Sequence, residues 1–305
     1  MSQPILFSTQ NYNYLKRELL ELGQFIDGQL IEKKFADGEN YTQIITPLNK
    51  KNVIIIGGTC TEEDTLSLYD LASGIIQLGA HSLKIVIPYY GYSTMERATK
   101  TGEIVKAKTR ATLLSSIPAG SISNHFILMD LHAEGIPYYF ENNVHCHHLY
   151  CKSEIIKACQ RISNNDFILA STDAGRAKWV ESLANEMNVN SAYVYKRRLS
   201  GDDTMVTGVN ADIKDKNVII YDDMIRNGSS LIKAAEAYHN NHAKNIYAIC
   251  THGLFTNQAV EKIKANGTIQ KIICMNTHPN SMNVNDPFVE VVSIASLINE
   301  KLQSI

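Results

Sequence analysis

Several features that would place the chain in a specialised class of protein are absent. No apolar run approaches the roughly 20 residues that a membrane-spanning helix needs, and the polar start MSQPILFSTQ does not resemble a signal peptide. The net charge is −2 without any basic block, which argues against a groove for nucleic acid. Only six cysteines are scattered over 305 residues, as is typical of reduced thiols in a cytosol. These absences predict a soluble cytoplasmic protein with no membrane or nucleic-acid partner.

One histidine-rich stretch, HCHHLYC at His145 to Cys151, raises the question of a metal site. Its spacing fits no paired Cys-x-x-Cys or His-x-x-x-His pattern, and no second ligand pair is evident elsewhere. Ordinary packing and surface histidines are therefore favoured over zinc.

What the chain does contain is a series of short β-branched runs, each followed by a turn and a helical pattern. Nearly continuous hydrophobicity is typical of strands buried on both faces. Strands that alternate with helices predict crossover units and a parallel sheet. The predicted strands are Val53–Ile56, Leu83–Ile87, Phe126–Leu131, Phe167–Ser171, Ala192–Tyr195, Val218–Tyr221, Ile246–Cys250 and Ile272–Met275.

The chain is long enough for two domains of ordinary size. A helix is predicted from Glu62 to Leu78, because apolar residues recur on one face and acids occupy the first turn. Asn164 and Asn165 form a polar break halfway along the chain, after which the alternation of strands and helices restarts. We therefore expect an α/β protein with two doubly wound domains, at residues 1–152 and 153–305.

The stretch NVIIYDDMIRNGSSLIKAAEAY, residues 217–238, is the most informative of the chain. Ligands of open parallel sheets bind beyond the carboxyl ends of the strands, where Asp222 and Asp223 are expected. Two carboxylates suit the hydroxyl groups of a sugar. Gly228 allows a tight turn, and the start of a helix with the hydroxyls of Ser229 and Ser230 suits a phosphate. The alternative is a plain strand-turn-helix junction in which one of these serines caps the helix.

This stretch resembles the ribose-phosphate loop of phosphoribosyltransferases and of ribose-phosphate pyrophosphokinases. Further stretches resemble only the second family, and they occur in its order over nearly the whole chain. They are FADGENYTQI (35–44), PYYGY (88–92), MDLHAEGI (129–136), STDAGRAK (171–178), YKRR (195–198) and ICTHGLF (249–255). The resemblance implies two doubly wound parallel-sheet domains of phosphoribosyltransferase type and a homo-oligomer, a dimer or a hexamer.

The family transfers the β,γ-diphosphate of ATP to the anomeric hydroxyl of ribose 5-phosphate, with Mg²⁺. Such a transfer depends mainly on alignment and charge neutralisation. The resemblance implies roles for residues at the matching positions: Lys196 and Arg198 as catalytic cations of a mobile loop, His132 and Asp173 as Mg²⁺ ligands, Phe35, Asp37 and Glu39 in the ATP pocket, and Asp222 and Asp223 on the ribose hydroxyls. Each position also has a purely structural interpretation, such as a surface turn, a helix cap or a solvated charge run.

The chain departs from the family pattern where ATP is held. Thr94, Met95 and Glu96 stand where the family has Arg-Gln-Asp. Arg97 and Lys100 follow and retain some positive charge, so we include them among the candidate ATP-binding residues.

A second departure lies in residues 226–230, here called the phosphate loop. Arg226 stands where the family has an acid or a small polar residue, and Asn227 stands where the family has threonine. A guanidinium can hold a diphosphate through two parallel hydrogen bonds. A branch of this family known from phages uses ADP-ribose, which carries a diphosphate at C5, as the acceptor for rebuilding NAD⁺. We therefore expect ADP-ribose as the acceptor, with ribose 5-phosphate as the alternative. Two further functions remain open, a non-catalytic regulatory paralogue and a phosphoribosyltransferase.

Overall fold

The computed structural model describes residues 3–163, 166–200 and 203–305, and the side chains of residues 196–207 lie outside this description. The contacts of the chain divide it into two compact units. The first unit comprises Met1–Tyr150 together with Ala295–Ile305, and the second comprises Cys151–Ile294.

Strands and helices alternate along much of the chain. The strands are β1 (Ile5–Ser8), β2 (Ile26–Asp27), β3 (Leu30–Lys34), β4 (Asn40–Ile44), β5 (Asn52–Ile56), β6 (Ser82–Ile87), β7 (Asn124–Met129), β8 (Val144–Leu149), β9 (Ile168–Ser171), β10 (Asn190–Ser200), β11 (Asp203–Val209), β12 (Asn217–Ile225), β13 (Asn245–Gly253), β14 (Ile272–Met275) and β15 (Val289–Val292). The α-helices are α1 (Asn13–Glu21), α2 (Glu62–Gln77), α3 (Lys106–Ser115), α4 (Lys152–Ser163), α5 (Ala177–Met187), α6 (Ser229–Asn240), α7 (Ala259–Asn266), α8 (Pro279–Met282) and α9 (Ala295–Gln303). Two short 3₁₀ helices span Gln10–Tyr12 and Ile136–Tyr139.

The first unit is built on a parallel sheet with the strand order β2-β1-β5-β6-β7-β8. The predicted helix after β5 forms as α2, because Thr61 and Asp64 satisfy each other's backbone N–H groups in a capping box. Its buried face packs on the core of the sheet, which includes Leu68 and Ile75. Strands β3 and β4 form a separate antiparallel hairpin.

The second unit is built on a sheet with the strand order β11-β10-β9-β12-β13-β14-β15. All neighbouring strands are parallel except β10 and β11, which pair antiparallel at one edge. The central strands are buried on both faces, as their continuous hydrophobicity predicted. The α/β fold with two parallel sheets is thus confirmed, and each predicted strand lies wholly or largely within an observed one.

The end of the chain departs from the predicted division at residue 152, because Ala295–Ile305 belongs to the first unit rather than the second. Helix α9 packs against α1, and the Lys84 ammonium donates to the carbonyl oxygen of Leu302 at 3.3 Å. Hydrophobic periodicity marks α9 as a helix but carries no information on which sheet it covers.

The described part of the chain contains no helix with the length and apolar character required to cross a bilayer.

Candidate active site

The adjacent strands β9 and β12 of the second unit bring two of the predicted segments together at their carboxyl ends. The Thr172 hydroxyl donates to Oδ2 of Asp222 at 3.0 Å. The Arg176 guanidinium pairs with Oδ2 of Asp223 at 2.7 Å. The loop after β9, which contains Asp173, therefore contacts both acids of β12 within one unit.

The two acids share this network unequally. Asp223 is buried, with 4% of its side chain exposed, and its charge is balanced by Arg176. Burial and the neighbouring negative charge of Asp223 raise the pKa of Asp222 to about 8, although the Thr172 hydrogen bond opposes the shift. Two carboxylates at one place cannot both ionise easily, so Asp222 is the member that binds a proton.

Arg176 is a site residue that the sequence argument missed. Its position three residues beyond Asp173 places Arg176 in the loop after β9. Charged side chains are rarely buried without a partner, which implies that Arg176 has one. Nothing in the sequence linked it to Asp223, which lies 47 positions later. The pairing depends on the neighbouring positions of β9 and β12 in the sheet.

Asp173 occupies a turn at the same end of the sheet. One oxygen of its carboxylate accepts the Gly175 N–H at 2.9 Å, and its carbonyl accepts the Ser171 hydroxyl at 2.6 Å. The structural alternative for Asp173 was a helix cap, but the N-cap residue of α5 is Arg176 and Asp173 forms this turn instead. A carboxylate accepts at more than one position, so the turn leaves Asp173 compatible with a ligand role.

The phosphate loop joins β12 to α6 through Gly228, whose φ of 79° is left-handed. The N-cap residue of α6 is Gly228, so the prediction that Ser229 or Ser230 caps this helix is wrong. Asn227 takes that role in part, since its side-chain oxygen accepts the Ser229 N–H at 3.1 Å. Glycine is required here because a Cβ at Gly228 would lie 2.8 Å from the Ile263 side chain.

Arg226, Asn227, Ser229 and Ser230 are exposed around this turn. The carbonyl oxygen of Arg226 accepts the Thr256 N–H at 2.9 Å, which ties the loop to the segment after β13. A helix start with exposed hydroxyls and a cation nearby is suited to an anion.

In the first unit, Phe35, Asp37 and Glu39 lie at the tip of the β3–β4 hairpin. The Asp37 carboxylate accepts the Glu39 N–H at 3.1 Å, and Phe35 N–H donates to the Glu39 carbonyl at 2.9 Å. The surface turn considered as the alternative therefore exists. Phe35 is nonetheless 51% exposed.

The loops after β5 and β6 are joined closely at the carboxyl end of the first sheet. The Gly91 N–H donates to the Thr59 hydroxyl at 2.7 Å, and a Cβ at Gly91 would lie 2.0 Å from the Thr59 carbonyl oxygen. Met95, Arg97 and Lys100 follow in an exposed stretch. The Nε of Arg97 lies 3.4 Å from Oε1 of Glu96.

His132 is exposed in the loop after β7, so it also lies at the carboxyl end of the first sheet. Nearby, His148 of the histidine-rich stretch accepts the Leu131 N–H at 3.0 Å, and His147 contacts His125 at 3.1 Å. No three histidine, cysteine, aspartate or glutamate side chains converge on a metal site within the described residues.

His132 and Asp173, each taken within its own unit, have side chains of a type that can bind Mg²⁺. Mg²⁺ keeps several waters and is commonly bound by one or two protein groups plus substrate phosphates. The imidazole of His132 is exposed and the carboxylate of Asp173 is partly exposed, so each can offer one such group at the carboxyl end of its own sheet. Each residue belongs to a different unit.

The predicted catalytic cations Lys196 and Arg198 have side chains outside the described residues. Their backbone belongs to β10, where Lys196 pairs with Val206 and Arg198 with Thr204 of β11.

Comparison with known proteins matches both parts of the chain to one kind of enzyme. Residues 4–117 match the family model "N-terminal domain of ribose phosphate pyrophosphokinase", and residues 171–305 match "Phosphoribosyl synthetase-associated domain". Ribose-phosphate pyrophosphokinase 2, chloroplastic, of Arabidopsis thaliana is 30% identical over 280 residues, covering 90% of this chain and 68% of that protein. The ribose-phosphate pyrophosphokinase of Gloeobacter violaceus is 29% identical over 278 residues, covering 90% and 82%.

A solved structure supports the fold. The phosphoribosylpyrophosphate synthetase of Mycobacterium smegmatis superposes with a TM-score of 0.88 at 20% identity, covering 99% of this chain and 98% of that one. The family models cover both units, and the paired acids, the phosphate loop and the segment after β9 meet at one sheet end. The chain belongs to the ribose-phosphate pyrophosphokinase family of enzymes.

Proposed function

We propose that the protein transfers the β,γ-diphosphate of ATP to the anomeric hydroxyl of a ribose phosphate and releases AMP. The observation that carries the proposal is the network in which Thr172 and Arg176 hold Asp222 and Asp223 beside the phosphate loop. Curated relatives across most of the chain are named ribose-phosphate pyrophosphokinase. Mg²⁺ would neutralise charge on the transferring diphosphate.

Within this reaction the chain's own residues have separate tasks. Asp222 is the more accessible acid and lies where it can contact a ribose hydroxyl, while Arg176 pairs with Asp223 and holds it in place. The loop from Asn227 to Ser230 binds the C5 phosphate at the start of α6. Lys196 and Arg198 supply positive charge to the transferring group, as their match to the family implies.

For the acceptor we propose ADP-ribose, with ribose 5-phosphate as the second candidate. The exposed Arg226 of the phosphate loop favours ADP-ribose, because its diphosphate offers more anionic oxygens than a monophosphate. One charge pair at about 4 Å and an effective dielectric near 20 is worth roughly 4 kcal/mol before desolvation. The names of the relatives favour ribose 5-phosphate.

Steady-state assays with ATP, Mg²⁺ and each acceptor separately test this choice. Arg226→Gln should raise KM for ADP-ribose about tenfold, the loss of about 1.4 kcal/mol, and leave KM for ribose 5-phosphate nearly unchanged. Lys233→Gln is the matched control, since it removes one exposed positive charge from α6. Turnover of ribose 5-phosphate without turnover of ADP-ribose would reject the larger acceptor.

The same assay separates the other functions. A regulatory paralogue releases no AMP with any acceptor. A phosphoribosyltransferase consumes a nucleobase without ATP.

A further inference from the structure

A cluster of four side chains in the first unit lies beside the segment where the family's ATP contacts are missing. The Tyr92 cluster consists of Glu62, Tyr92, Lys106 and Arg110. Tyr92 lies only two positions before Thr94 and three before Met95, which replace the family's arginine and glutamine. None of the four was singled out by the resemblance as a binding residue.

The ring of Tyr92 contacts two cations of α3. The Lys106 ammonium is 4.7 Å from the centroid of the ring, and Cζ of Arg110 is 5.3 Å from it, both within the range of a cation–π contact. The Tyr92 hydroxyl donates to Glu62 at 2.5 Å, and Arg110 pairs with the same carboxylate. Unlike the buried Tyr89 and Tyr90, Tyr92 is partly exposed and does not belong to the core.

Helix α3 brings its cations to the altered loop through a direct backbone contact. The Ala107 N–H donates to the Met95 carbonyl at 3.3 Å, and the Tyr90 hydroxyl donates to the Ala107 carbonyl at 2.8 Å. Both contacts fix the first turn of α3 against the loop after β6. Lys106 is therefore positioned next to Met95 by backbone geometry rather than by a flexible segment.

The charge of the cluster is not balanced internally. Glu62 is the one acid among the four and is engaged by Arg110, whereas no carboxylate lies within ion-pair distance of Lys106 in the described part of the chain. The Nε of Arg110 is buried without a hydrogen-bond partner. A buried unpaired donor destabilises a fold, so stability alone does not explain why this arginine is here.

We infer that Lys106 and Arg110, which α3 presents next to Tyr92, bind the phosphates of the nucleotide substrate in place of the contacts that Thr94 and Met95 cannot make. The inference rests on the proposed use of ATP and adds specific residues to it. The cluster lies at the carboxyl ends of β5 and β6, where ligands of parallel sheets bind. Two cations near one another match a polyphosphate better than a neutral base.

Binding of Mg²⁺ with α,β-methylene-ATP, which resists cleavage of the bond broken in the proposed transfer, tests the inference by calorimetry. Lys106→Gln should raise the Kd about tenfold. Lys106→Arg should restore most of the affinity. Lys108→Gln is the matched control, because Lys108 is an exposed lysine on the same helix, and it should leave the Kd unchanged. Equal effects of Lys106→Gln and Lys108→Gln would overturn the inference.

Glu62→Gln distinguishes binding from a structural role. The amide keeps an acceptor for the Tyr92 hydroxyl but removes the negative charge that competes with phosphate for Arg110. Tighter nucleotide binding, by about threefold, supports the inference, and weaker binding contradicts it.

The calorimetric readout does not depend on turnover. If the wild type binds the analogue through Lys106 but transfers no diphosphate to either acceptor, the proposed function fails and the inference stands. If the wild type does not bind the analogue, the inference fails as well.

Discussion

At the scale of single residues, the fold changes the pKa of Asp222, one of the two acids of the candidate site. An aspartate in an unfolded chain has a pKa near 3.9, whereas burial and the adjacent Asp223 raise the pKa of Asp222 to about 8. Between these values the folded protein binds a proton that the unfolded chain does not. The free energy of unfolding therefore falls as the pH rises through this window, by at most about 1.4 kcal/mol per pH unit. The protein therefore retains an acid that destabilises it near neutral pH.

Asp222→Asn should remove this dependence. We expect the variant to gain free energy of unfolding relative to the wild type as the pH is raised from 5 to 8, because asparagine cannot ionise. Urea unfolding at each pH measures the difference. The variant should also lose most of its transfer activity, since asparagine lacks the carboxyl group that is proposed to bind the ribose hydroxyl.

Asp212→Asn is the control for this experiment. Asp212 is exposed, and its side chain accepts the Lys214 N–H at 3.2 Å, a role that asparagine also fulfils. A stability difference between Asp222→Asn and wild type that does not change with pH would show that Asp222 is ionised in the folded protein.

At the scale of elements, the junction of β12 and α6 depends on one residue without a side chain. Gly228 combines a left-handed φ with a close approach of Ile263 from α7. Gly267, at the end of α7, is also left-handed but has nothing within 4 Å of its Cβ position. Substitutions at Gly228 and Gly267 therefore separate two contributions to stability. The left-handed backbone affects both positions, and the contact with Ile263 affects Gly228 alone.

Gly228→Ala should therefore destabilise the protein more than Gly267→Ala. Both changes carry about 1–2 kcal/mol for the left-handed conformation, and overpacking against Ile263 adds about 1–3 kcal/mol for Gly228→Ala alone. Chemical unfolding of the two variants measures the difference. Equal destabilisation would mean that the phosphate loop is not held against α7.

The elements also show which parts of the fold the sequence could reveal. Strands β5 and β12 were predicted because each contains a run of apolar residues, Val53–Ile56 and Val218–Tyr221. Helix α2 was predicted because apolar residues recur on one face and acids occupy its first turn. The edge strand β8 was not, since VHCHHL has no strand-like pattern of hydrophobicity. The hydrogen bond from the Ser229 N–H to the Asn227 side chain was missed, because serine and asparagine at adjacent positions can both accept from the N–H groups at a helix start.

For the whole molecule, two parallel-sheet α/β parts were accessible from the sequence, although β12 runs beyond its predicted end at Tyr221 and so includes Asp222 and Asp223. Contacts between distant segments were not accessible from the sequence. Arg176 meets Asp223 only because β9 and β12 are neighbours in the sheet, and α9 joins the first unit only because α1 offers it a surface. Hydrophobic periodicity indicates which face of a helix or strand is buried, but it does not indicate which other element packs against that face. The homo-oligomer expected from the family resemblance stays a prediction.

Phosphorus NMR of a reaction with ATP, Mg²⁺ and a ribose-phosphate acceptor tests the central claim most directly. The protein should produce AMP and a diphosphate ester on the anomeric carbon in equal amounts, with ADP-ribose, ribose 5-phosphate or both. Formation of ADP with a monophosphate ester, or no consumption of ATP with either acceptor, would contradict the account.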